Sequence, residues 1–69
     1  MKHTVLITYD PQDEIYIARV LELDGCMAHG KTQELAIQEL QVAYDLWIKD
    51  AELDGDPVPE PRADWSMAK

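Results

Sequence analysis

The chain has one cysteine, no phenylalanine, three glycines and only six basic residues against fourteen acids in 69 positions. Each shortage excludes something. The lone cysteine, Cys26, forms no intramolecular disulfide, and no cysteine or histidine pair has zinc-ligand spacing. Glycine loops of the GxGxxG or GxxxxGK kind are missing, so no nucleotide cofactor is implied. A formal charge of −8 opposes a phosphate-binding surface and favours a basic partner, so direct nucleic-acid binding by this chain alone is not expected. Apolar runs such as Val5 to Ile7 and Leu46 to Ile48 are short, far below the roughly 20 residues of a membrane helix. Met1-Lys2-His3 leads straight into strand-like sequence without the apolar region of a signal peptide, and a cytoplasmic location is expected.

What the chain does have is enough apolar residues, 46%, for one small core and no more. With neither disulfide nor metal to staple it, a homodimer or higher homo-oligomer is the expected route to sufficient burial. Residues 3 to 9 are β-branched and aromatic, Asp10-Pro11-Gln12-Asp13 supplies a turn, and 14 to 20 reads as the return strand. In that strand Ile15, Ile17 and Arg19 alternate with Tyr16, Ala18 and Val20, so both faces are expected to be partly covered. Gly25 marks a further turn, and Cys26 to His29 forms a short third strand ending at Gly30. Thr32 is an N-cap with Glu34 in the first turn, and a helix runs from 33 to 53 without a breaker until Gly55. The fold class is α+β: a three-stranded antiparallel meander with one long helix packed on it, β-β-β-α. The domain spans 1–54, and 55–69 is a proline-rich, extended tail.

Helical periodicity puts Ala36, Ile37, Leu40, Ala43, Tyr44, Trp47, Ile48 and Ala51 on the face that covers the sheet. Leu35, Val42, Leu46 and Leu53 project from another side, and three strands with one helix offer nothing to bury them. This stripe reads as an oligomer interface, or as a surface that the tail folds back to cover. Trp65, in a tail too short for its own element, either docks on the domain or waits for a partner.

Catalytic groups are scarce. His29 is the candidate general base, yet a lone histidine at a strand end is more often structural or solvated. Cys26 and His29 lie three residues apart and point to opposite faces of a strand, which argues against a nucleophilic pair. The acids of the hairpin and the loop before Gly25 lack calcium-loop spacing and read as solvated charges rather than a metal site. No carboxylate precedes Asp10 on the first strand, and Glu39, Asp45 and Asp50 lie off the helix's main apolar face, so metal-dependent nuclease chemistry is not expected. No catalytic residue and no metal site is assigned.

The order of signals resembles the HicB family, the antitoxins of HicA–HicB type II toxin–antitoxin modules. The carrying segments are Tyr9 to Ala18, Leu23-Asp24-Gly25-Cys26, His29-Gly30-Lys31-Thr32, Glu34-Leu35-Ala36 and Asp54 to Pro61. The resemblance implies a partial ribonuclease-H-like fold and a partner, the small basic toxin HicA, a messenger-RNA endonuclease whose active site the antitoxin masks. It gives no catalytic role to this chain. Gly25, Cys26, Gly30 and Thr32 are then scaffold positions, the glycines taking backbone conformations barred to other residues. For the toxin contact, charge points to Asp10, Asp13, Glu14, Glu22 and Asp24, with Tyr16 as an aromatic anchor. Family members often carry prolines where this chain has Leu21 and Asp24, and many continue into an operator-binding domain, a pattern not found before Lys69. An orphan adaptor or regulatory domain without a toxin is the alternative reading.

Overall fold

A computed structural model describes residues 1–62; Trp65 and the rest of 63–69 lie outside the described residues. Three strands, β1 (Val5–Asp10), β2 (Ile15–Val20) and β3 (Met27–Gly30), pair antiparallel in the order β1-β2-β3, followed by helix α1 (Gln33–Asp54). This is the expected α+β meander and helix. β1 begins at Val5 rather than residue 3, because the Thr4 backbone N–H is donated to the Glu22 carboxylate (2.8 Å) instead of to a strand. β2 begins at Ile15 because Glu14 adopts a left-handed φ of 56° and so belongs to the turn. The Asp10 side chain closes that turn, accepting from the backbone N–H of Gln12 at 3.0 Å.

The register sorts the side chains. Val5 opposes Val20, Ile7 opposes Ala18 and Tyr9 opposes Tyr16, while Ala18 also opposes Ala28 on β3, and these residues share the face toward the helix. Ala18, Val20, Leu23, Cys26, Ala36 and Leu40 form the buried core. Leu6, Ile15, Ile17, Arg19, Met27 and His29 lie on the other face, which no element covers among the described residues. The expectation that both faces would be partly covered is corrected here: a single helix can shield only one side of a sheet.

Thr32 caps α1 as its sequence position requires. Its backbone is extended, and its Oγ1 accepts from the Leu35 N–H at 3.0 Å. Ala36 and Leu40 are buried in the core, with Tyr44, Trp47 and Ile48 at its rim, and Ala51 is buried further along the helix. Ile37, expected on this face, is 40% exposed because the sheet is only three strands wide. At the far end Gly55 (φ 75°) lets its own N–H reach Glu52 O (3.2 Å) while the Asp56 N–H reaches Ala51 O (2.8 Å), a Schellman closure that ends the helix at Asp54. The chain then turns back, and Val58 packs against the core.

Two glycines are required for different reasons. Gly25 has φ 78° with open space around it, so any side chain there meets only backbone strain. Gly30 has no positive φ, contrary to expectation; a Cβ there would lie 2.5 Å from Ala36 N and 2.8 Å from Leu35 C, so this residue lets the helix backbone approach β3. Replacing Gly25 with alanine is expected to cost about 1–2 kcal/mol, the left-handed penalty. Gly30→Ala is expected to cost more, about 3 kcal/mol, since neither clashing atom belongs to a flexible side chain. Urea denaturation of the two variants checks the order, and equal losses would contradict the close-approach account.

Candidate functional site

The expected acidic contact residues do not form one surface. Asp10, Asp13 and Glu14 sit at the hairpin end of β2, and Glu22 and Asp24 follow its opposite end, about 17 Å away along the strand. Asp10 and Asp13 border a shallow groove of about 260 Å³ floored by Ile15, Ile17 and Met27, with His29 at its side. Polar and apolar atoms thus converge on the uncovered sheet face. The hairpin supplies the carboxylates because the Asp10 Oδ1 also accepts from the Asp13 N–H at 3.5 Å, which keeps the turn folded toward the groove.

Glu22 has a different role from the one expected of a solvated loop acid. Its carboxylate accepts from the Thr4 N–H, the Thr4 hydroxyl and the Arg62 N–H, each at 2.8 Å, and so ties the start of β1 to the returning tail. Desolvation alone would raise its pKa, but the Arg62 N–H, the Thr4 hydroxyl and the Thr4 N–H together outweigh that and hold it at about 2, down from 4.5. Asp24 is exposed, and its carbonyl accepts from the Trp47 indole at 2.9 Å, pinning the β2–β3 loop to the helix. Tyr16, expected as an aromatic anchor, faces the helix side and packs against the core; the Tyr9 ring lies tilted against it at 5.0 Å between centroids and is itself 52% exposed. Tyr9 is therefore the more exposed tyrosine of the pair, although both lie on the same sheet face.

His3 is the polar residue that sequence reasoning missed. It is buried, with Nε2 2.7 Å from the Pro59 carbonyl and Nδ1 2.8 Å from the Tyr44 hydroxyl. A carbonyl only accepts, so Nε2 carries the hydrogen, and in the neutral ring Nδ1 accepts from the tyrosine. His3 and its partners line a cleft of about 400 Å³ between the helix and the tail. One ring nitrogen holds the tail and the other holds the helix, which makes this cleft a packing seam.

Cys26 is buried in the core, and burial pushes its thiol pKa up, away from the reactive thiolate. His29 stands exposed on the opposite, open face. Among the described residues no three histidine, cysteine or carboxylate groups are placed to hold a metal ion, and no helix is long and apolar enough to cross a membrane. Leu35, Val42, Leu46 and Leu53 are 45%, 56%, 57% and 76% exposed, so the described part of the tail does not cover them.

Over 64 residues the chain is 33% identical to a UPF0150 protein of Thermoplasma acidophilum, covering 93% of this chain and 91% of that relative. The chain belongs to the UPF0150 family. A UPF0150 protein of Synechocystis is 28% identical over 64 residues, covering 93% of this chain and 88% of the relative. No family model and no solved structure matches the chain. For this UPF0150 protein the architecture therefore rests on the fold described above, and the family name carries no activity.

The Glu22 clasp generates a pH prediction. A carboxylate held at about 2 in the folded chain and 4.5 in the unfolded one stabilises fully above pH 4.5, and that contribution disappears as pH falls toward 2. Wild type and Glu22→Gln are therefore expected to differ in melting temperature at pH 7 and to converge at pH 2. A constant difference across that range would assign the clasp no carboxylate-dependent role.

Proposed function

We propose that this UPF0150 protein is a non-catalytic antitoxin of the HicB type, which binds a small basic messenger-RNA endonuclease and masks its active site. The observation that carries the reading is the uncovered sheet face, where Asp10 and Asp13 border an apolar groove. A lysine or arginine of an RNA-binding protein suits such a groove, its aliphatic stem against Ile15, Ile17 and Met27 and its charge against the two carboxylates. The net charge of −8 steers a basic protein toward this chain and sets acidic groups where the toxin would hold phosphates. The sequence resemblance to HicB supports the partner's class, and the partial ribonuclease-H-like character of the meander and helix belongs to the same reading. Glu22, Tyr16 and Asp24 are left out of the contact, since their positions serve the clasp, the inner face and the far end of the sheet.

Co-expression with the nearest small basic reading frame, purification through one tagged partner, and an RNA-cleavage assay before and after removal of this chain test the proposal. The expected outcome is a stable complex whose isolated partner cuts RNA and stops when the chain is added back. No complex and no cleavage would refute it. Within such a complex, the double variant Asp10→Lys, Asp13→Lys is expected to slow association about tenfold at low salt and to flatten its salt dependence. Stopped-flow rates that do not change would remove the groove from the contact.

A further inference from the structure

We infer that the exposed stripe of α1 pairs with the same stripe of a second copy, the two helices running antiparallel about a two-fold axis at the level of Tyr44. Leu35, Val42, Leu46 and Leu53 lie on the helix side roughly 130° from the core-facing Leu40 and Trp47, taking 100° per residue. Glu39 and Lys49 fill the two remaining positions of the same seam, giving a heptad-like d-a-d-a-d-a order from Leu35 to Leu53. The order is palindromic: Leu35 and Leu53, Glu39 and Lys49, and Val42 and Leu46 each lie equally far to either side of Tyr44. An antiparallel pair therefore sets leucine against leucine at both ends, valine against leucine beside the axis, and Glu39 against Lys49 twice.

The charges favour a second copy as the occupant. Lys49 is the single basic residue in a helix with six acids, and it stands in the seam where two-fold symmetry brings Glu39 to it. A general surface of −8 opposes self-association, so the seam is where attraction between copies is concentrated. The one like-charge approach, at Asp45 near the axis, involves a carboxylate already held by the Gln41 amide of its own helix at 3.0 Å. A parallel pair would place Glu39 on Glu39 and Lys49 on Lys49, which excludes that arrangement.

Sedimentation equilibrium on the full chain tests the pairing without any toxin, so its failure and the failure of the antitoxin reading are separable. The wild type is expected to be a dimer and Leu46→Glu a monomer with unchanged far-ultraviolet circular dichroism. Glu39→Lys and Lys49→Glu are each expected to weaken the dimer about tenfold, and the two together to restore it. A mixture of Val42→Cys and Leu46→Cys chains is expected to form the mixed disulfide on oxidation, with neither variant cross-linking alone. A wild type that stays monomeric at about 0.1 mM, a dimer indifferent to Leu46→Glu, a charge exchange that restores nothing, or Val42→Cys linking to itself would each overturn the inference.

Discussion

The fold depends on how closely the first turn of α1 lies over Gly30. With no Cβ at that position, the backbone of Leu35 and Ala36 settles directly on the end of β3, and Thr32 caps the helix two residues later. This fixes where the helix begins and at what height it crosses the sheet. Ala18 and Ala36, both fully buried, keep the two layers close, and Leu40 one turn on fills the space between them. Once the start and height of the helix are set, its 3.6-residue period decides which side faces the core and which stays outside. The exposed leucine stripe is thus a consequence of the same contact that builds the core.

A core this small needs help, and the help is polar. His3 ties the tail to the N-terminus through Pro59 and to the helix through Tyr44, and Glu22 ties the tail to Thr4 through Arg62. These bonds link positions 18 to 56 residues apart, closing a chain that has neither disulfide nor metal site among its described residues. Hydrogen bonds to a charged carboxylate are stronger than neutral ones, which is why the clasp uses Glu22, and the same choice makes it sensitive to acid.

Local rules made much of this legible in the sequence. Alternation in Ile15 to Val20, the turn chemistry of Asp10 to Asp13, the Thr32 cap and the Gly55 stop act over a few residues, and each element lies where those signals put it. The stripe was legible because helical period alone separates Leu46 from Leu40. What escaped depends on long-range pairing. Nothing around His3 signals Pro59, and Glu22 among its neighbouring acids carries no mark of Thr4 or Arg62. The acids of the hairpin and of the loop before Gly25 lie close in sequence, and that proximity hides the straight strand that separates the two groups. Gly30 was read as a conformational glycine, while its actual reason, the helix backbone above it, requires the assembled layers.

The two uncovered surfaces face opposite ways, and this bears on how binding and self-association coexist. The groove with Asp10 and Asp13 is on the sheet face away from α1, whereas the stripe is on the side of α1 away from the sheet. In the inferred pair the layers run groove, sheet, helix, helix, sheet, groove, so neither contact blocks the other. In the proposed reading each surface also differs in what it selects: the groove offers two carboxylates at its hairpin border to a cation, while the stripe offers one glutamate and one lysine at symmetric distances to a second copy. Two outward-facing grooves on one assembly bind a partner with two sites more tightly than either groove alone, provided that the span between them is matched. The proposed binding face and the inferred assembly face thus lie on opposite sides of one β-β-β-α unit.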